Sequence, residues 1–216
     1  MHIRPLMLVI PLLATAGAAH ARPYKEVCDN FEPFRKIADL KYVKPVVRVK
    51  PKDEAVKPKD VVITIDARAG TVRIVPEADG SIQLPMTDAL CQENPEFSTN
   101  QGEGNVRFSV SIDPQLPPVK ALDYRLLETL RQEWDTAVSR QNMMMRMLAP
   151  SAKGYHLNFE PGKPATAEVK LPSGAQKFTA DAAGNLYLPL ESSWATANPA
   201  IVLSEMPKRI GLKFKS

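Results

Sequence analysis

One long motif written twice constrains this chain more than any single residue does. "DGSIQLPMTDALCQENPEF" (79–97) and "AGNLYLPLESSWATANPAI" (183–201) share the pattern G-x-[IL]-x-L-P-[ML]-x-x-x-[LW]-x-x-x-N-P-x-[FI], 104 residues apart. The offset continues beyond the motif, pairing Lys59 with Lys163, Gly70 with Gly174 and Ala78 with Ala182. It also lays Val106, Phe108 and Val110 over Ile210, Leu212 and Phe214. Those triplets alternate with polar or small residues at a period of two, as half-buried strands do. Duplication accounts for the match better than chance. Two copies of this size make a tandem pair rather than a solenoid, whose repeats are far shorter.

Within each copy the chain reads strand, glycine turn, strand, acidic turn, strand. "VVITIDARAGTVRIVPEADGSIQLP" breaks at Gly70 and at Glu77 to Gly80, and "AEVKLPSGAQKFTADAAGNLYLP" breaks at Gly174 and at Asp181 to Gly184. Glycine supplies the positive φ of tight hairpins. The following Leu-Pro is expected to end a strand and start a short helix carrying Met86 and Leu90, or Leu190 and Trp194, on one face. Asn-Pro then returns the chain to a strand.

Helical sequence precedes each sheet. Tyr24, Val27, Cys28, Phe31, Phe34 and Ile37 fall at helical intervals, with Pro33 as a kink or restart. From Asp123 to Leu148 there is neither Gly nor Pro, so one helix over 123–148 is expected. "VVRV" (46–49) reads as a strand, and the Lys/Pro-rich stretch after it as an exposed loop. The fold class is α+β. A segment 1–21 precedes two related units, 22–118 and 119–216, each a helix packed on an antiparallel sheet.

The helix-then-sheet unit ending in the repeated motif resembles an uncharacterised secreted bacterial family known only as a domain of unknown function. "FTADAAGNLYLPL" is also similar, more loosely, to transthyretin-like accessory domains. The first resemblance implies an envelope location and brings no activity with it.

The first 21 residues suggest the same compartment. Arg4, an apolar run from Leu6 to Ala16, and Ala19 and Ala21 flanking His20 form the pattern of a cleaved secretory leader, with cleavage expected after Ala21. No other stretch approaches a membrane span. The chain has two cysteines, Cys28 and Cys91, and no CxxC. In an exported protein such a pair is most simply a disulfide.

Charge is nearly balanced. Without Arg4 the chain holds 27 basic and 24 acidic side chains, and the excess lies in residues 119–216, with 13 basic against 9 acidic. Low aromatic content and the lack of a dense basic stripe argue against nucleic acid as a partner.

Few residues suggest chemistry. His2 and His20 leave with the leader, and His156 sits in "GYHLNF" opposite Tyr155, Leu157 and Phe159, as an ordinary strand residue would. A triad through Ser151 or Asp181 has no nucleophile-elbow motif behind it. P-loop, dinucleotide, HExxH and calcium-loop patterns are absent.

The methionines of "QNMMMRMLAP" are the unusual feature. On one continuous helix, Leu127, Leu130, Trp134, Val138, Met145 and Leu148 form the apolar stripe, with Met144 at its edge. Met143 and Met147 point to the other side at i and i+4. Packing, partner binding and Cu(I) ligation by the two thioethers are the readings, in that order.

The last strand suggests a surface. With Ile210, Leu212 and Phe214 facing the core, Arg209, Lys213 and Lys215 project from the other side, beside Lys208. The matching face of the first copy carries Asn105, Arg107, Ser109 and Ser111. These residues point to a non-catalytic periplasmic or secreted binding protein without a cofactor. Its partner is an envelope protein or an anionic envelope component. Cu(I) handling through Met143 and Met147 is the alternative, and an unrecognised hydrolase the third reading.

Overall fold

The computed structural model describes residues 22–101 and 104–215. The expected leader, with its cleavage point at Ala21 and with His2 and His20, lies outside the described residues. The protein is α+β; the described residues form five α-helices and antiparallel sheets in two compact units.

Unit 1 contains β1 (Arg22–Pro23), α1 (Tyr24–Arg35), most of β2 (Val43–Pro51), β3 (Ile63–Ala67), β4 (Gly70–Ile74), β5 (Ser81–Ile82), α2 (Asp88–Glu93), β6 (Glu96–Thr99) and most of β7 (Val106–Leu116). Its strands run in the orders β1-β6-β3-β4 and β7-β2-β5. α1 continues through Pro33 and buries Tyr24, Val27, Cys28, Phe31 and Phe34, the stripe expected of an amphipathic helix. Tyr24 meets Phe97 of β6 at 6.0 Å between ring centroids, which brings that stripe onto the sheet. Ile63 and Ile65 of β3 are fully buried beside it.

Unit 2 contains β8 (Ala121–Asp123), α3 (Tyr124–Ser139), α4 (Met143–Leu148), β9 (Ala152–Asn158), β10 (Thr166–Leu171), β11 (Gly174–Thr179), β12 (Asn185–Pro189), α5 (Ser192–Ala197), β13 (Ala200–Leu203) and β14 (Arg209–Phe214). Its strands run β8-β13-β10-β11 and β14-β9-β12. Tyr155, Leu157, Leu186, Leu188, Ile210 and Leu212 turn inward from the second run. Taken in chain order, these connections repeat those of unit 1, with α3 in the place of α1 and α5 in the place of α2. Among the described α-helices, α4 alone has no counterpart, because the interval between α1 and β2 holds no helix.

The repeated residues hold the same backbone geometry in both units. Asn94 and Asn198 end the short helices in the left-handed region, at φ 53° and 46°. Their carboxamide oxygens accept the amides of Lys25 and Arg125, each at 2.8 Å. Pro95 and Pro199 carbonyls accept Tyr24 and Tyr124 amides at 2.9 and 3.0 Å. Asn-Pro therefore closes one helix and satisfies the first amides of another, groups that a helix cannot satisfy itself. Gly80 and Gly184 are required twice over. Their φ values are +82° and +81°, and a Cβ would stand 2.5 Å from the Val49 or Phe159 carbonyl oxygen.

Three expectations are corrected. The helix over 123–148 is two helices, α3 and α4, separated at Arg140 to Asn142. Asn142 adopts an extended conformation and its side chain accepts the Met145 amide at 2.9 Å, so local capping wins over continuation. The boundary lies between Asp113 and Pro114 rather than at 118, and Asp39–Lys44 belongs to unit 2. Glu133 of α3 explains the second point, accepting the amides of Tyr42 and Val43 at 2.6 and 3.2 Å. Finally, α2 and α5 begin after Thr87 and Glu191. Met86 and Leu190 consequently lie outside them. Thr87 accepts the Leu90 amide, and this cap, rather than Pro85, sets the start of α2.

Candidate functional site

The polar face of β14-β9-β12 in unit 2 concentrates side chains with chemistry. Alternation places Tyr155 and Leu157 inward, which turns His156 outward, and the register sets His156 opposite Tyr187 on one side and Gly211 on the other. His156 stacks on Tyr187, with ring centroids 4.9 Å apart and planes 21° off parallel. Its Nε2 lies 2.9 Å from Asn185 Oδ1. An amide oxygen only accepts, so the proton is on Nε2. Asn158 Nδ2 donates to the same oxygen at 3.2 Å, and Asn185 Nδ2 donates to Asp181 at 3.3 Å.

Two cations flank this stack. Lys213 is opposite Gly154, which has no side chain to obstruct it, and its ammonium lies over the Tyr187 ring, 4.0 Å from the centroid. Arg209 is half-buried on the same strand face. Burial holds the His156 imidazole below its ordinary pKa; the hydrogen bond to Asn185 and the Asp181 carboxylate oppose that, while Arg209 and Lys213 push further down. The ring is therefore neutral near neutral pH, and an anion placed beside it would favour the protonated form.

The expected basic row is thus present in part as a group. Arg209 and Lys213 share the face with His156 and Tyr187. Lys215 is exposed just past the strand end, and its amide donates to the Ser151 carbonyl at 3.2 Å. Lys208 is engaged elsewhere, 2.7 Å from the Glu160 carboxylate. Phe214, expected in the core, is half-buried against Trp134 at 4.7 Å.

The corresponding face of unit 1 is built differently. The register of β2 on β5 puts Arg48 where unit 2 has Asn158, opposite Ser81. Its guanidinium donates to Ser111 Oγ at 2.7 Å and stands 4.0 Å from Asp79. Arg48 is thus answered within the unit, while Arg107 of β7 is exposed.

Met143 and Met147 are each 79% exposed on α4, with Met144 at 68% and Leu148 at 56%. The break before Asn142 explains why Leu148 leaves the stripe that Leu127, Leu130 and Trp134 occupy on α3: its phase is no longer set by that helix. Met143, Met144 and Met147 are therefore not packed into the core of unit 2. Met143 and Met147 remain one turn apart on a common short helix. His156 has its Nε2 on Asn185. Among the described residues, no group of three or more His, Cys, Asp or Glu side chains is placed to hold a metal ion.

Cys28 and Cys91 form a disulfide joining α1 to α2. Among the described residues, no helix is long and apolar enough to cross a membrane. The juxtaposition of His156 with Tyr187, Asn185 and Lys213 was missed from sequence, since it depends on which strands become neighbours. The alternation of "GYHLNF" and "NLYLP" signalled only that each residue faced outward. Comparison with family models, curated proteins and solved structures finds no match.

Proposed function

We propose that the protein is an exported, non-catalytic binding or accessory protein of the bacterial cell envelope, whose second unit holds an anionic envelope component. The observation that carries this reading is the Lys213 ammonium lying over Tyr187, itself stacked on His156, with Arg209 on the same face. A cation over a ring is positioned with its charge still available to an incoming anion. On the matching face of unit 1, Ser109 stands where unit 2 has Lys213, and Arg48 is engaged by Ser111 and Asp79. The leader-like segment 1–21, the Cys28–Cys91 disulfide and the resemblance to secreted proteins support the envelope location.

The test uses a soluble carboxylated polysaccharide, polygalacturonate, as the probe. Arg209→Ser combined with Lys213→Ser is expected to weaken binding roughly tenfold at low ionic strength, since two near-surface charge contacts are together worth about 1–2 kcal/mol. Binding by the unsubstituted protein is expected to fall as salt rises toward a Debye length of about 8 Å. Equal affinity of the two proteins, or indifference to salt, contradicts the reading.

A further inference from the structure

α4 sits in unit 2 at a point where unit 1 has no helix, so the shared scaffold does not require it. Four of the eight large hydrophobic side chains exposed among the described residues belong to its six residues. Its position is nevertheless fixed. Asn142 caps its start, and beyond its end the Trp134 indole donates to the Pro150 carbonyl at 3.2 Å. A held helix that keeps Met143, Met144, Met147 and Leu148 in water presents an apolar face that no described residue covers.

The surrounding charge identifies what fits that face. From Thr136 to Phe159 the chain has Arg140, Arg146 and Lys153 and not one acidic residue. Arg140 is paired with Asp39 at 2.6 Å. Arg146, in the last turn of α4, and Lys153, at the start of β9, are exposed. Lys215 is brought alongside by the bond from its amide to Ser151. Apolar side chains with cations at their margin complement a surface that is apolar within and anionic at its rim. A leaflet containing acidic phospholipid has that order, with exposed methionine entering the acyl boundary and Lys or Arg meeting the phosphates. Six residues are far too few to span. The flexible thioether suits an irregular lipid boundary.

We propose that α4, with Arg146, Lys153 and Lys215, docks the protein peripherally on an anionic lipid bilayer. Co-sedimentation of the full exported chain with vesicles of phosphatidylglycerol and phosphatidylethanolamine, against phosphatidylcholine alone, tests this. The unsubstituted protein is expected to sediment with the anionic vesicles at low salt and to remain in solution with the neutral ones. Met143→Ser with Met144→Ser and Met147→Ser should weaken vesicle binding at least tenfold, with an unchanged circular dichroism spectrum. Leucine at the same three positions keeps the apolar face, removes the thioethers and should retain binding. Arg146→Ser with Lys153→Ser should weaken it about tenfold or more. All these variants keep Arg209 and Lys213, so their affinity for soluble polygalacturonate is expected to be unchanged, which separates failure here from failure of the anionic site. No sedimentation with anionic vesicles, or equal binding by the serine variant, overturns the proposal. Loss of binding in the leucine variant overturns it in favour of thioether chemistry. Concentration-dependent self-association that the serine variant abolishes, without vesicle binding, overturns it in favour of a second copy.

Discussion

Cys28→Ala together with Cys91→Ala is expected to destabilise unit 1 by about 4 kcal/mol. The bridge joins residues 63 apart in sequence, and closing a loop of that length removes roughly this much entropy from the unfolded chain. Its place in the unit argues against easy compensation. Cys28 is buried in the apolar stripe of α1, and α2, which carries Cys91, is a single six-residue helix with no buried side chain of its own. The Arg35–Asp88 ion pair also links the two helices, but Asp88 is largely exposed and such pairs contribute only about 0–1 kcal/mol. Urea denaturation followed by hydrogen exchange at α1 amides checks this. A loss below about 1 kcal/mol would show that α2 is held by packing rather than by the bridge.

Unit 2 has Ala195 where unit 1 has Cys91, and Trp194 where it has Leu90. Trp194→Ala is expected to cost about 3–5 kcal/mol, the usual range for emptying a buried aromatic site. The indole is 5% exposed. It meets Tyr124 edge-on at 5.6 Å and Phe178 edge-on at 6.0 Å, and Tyr124 meets Tyr155 edge-on at 5.6 Å. Perpendicular contacts of this kind add to simple area burial. Leucine at 194, imitating the first copy, should recover part of the loss, because it refills part of the cavity. Unfolding midpoints of the three proteins provide the measurement. A Trp194→Ala protein as stable as the parent would mean that the aromatic cluster is not what holds α5 down.

These two positions illustrate how far the sequence could be read. The 104-residue offset identified the turn residues, and Gly80, Gly184, Asn94 and Asn198 all adopt the positive φ that their type suggests. Cys28 and Cys91 were legible because two cysteines behind a leader-like start leave one simple pairing. Local patterns could not supply everything. The break at Arg140 to Asn142 has no Gly or Pro, and depends on one asparagine favouring a cap over another helical turn. The transfer of Asp39–Lys44 to unit 2 rests on Glu133, a helical carboxylate whose amide partners are some 90 positions away. Exposure of Met143 to Leu148 followed from the same break, since a helical wheel drawn across it carries the wrong phase forward.

The site was legible as a list of outward residues. Arg209 and Lys213 could be assigned to a face by alternation alone. Their relation to His156 and Tyr187 required the order β14-β9-β12 and the bare Gly154, neither of which is a property of adjacent residues. That relation makes an anion site testable at one atom group. His156 is the sole histidine after residue 21, so its imidazole signal stands alone in a protein without residues 1–21. Its titration by nuclear magnetic resonance, with and without polygalacturonate at low ionic strength, is the most direct test. The free ring is expected to titrate below the ordinary histidine value of about 6.5, because burial, with Arg209 and Lys213, outweighs the Asn185 bond and the Asp181 carboxylate. An anion at Arg209 and Lys213 offsets those cations and favours imidazolium, so saturating polygalacturonate should raise the midpoint, and Lys213→Ser should diminish that rise. A midpoint that saturating polygalacturonate leaves unmoved would contradict an anionic ligand at this face.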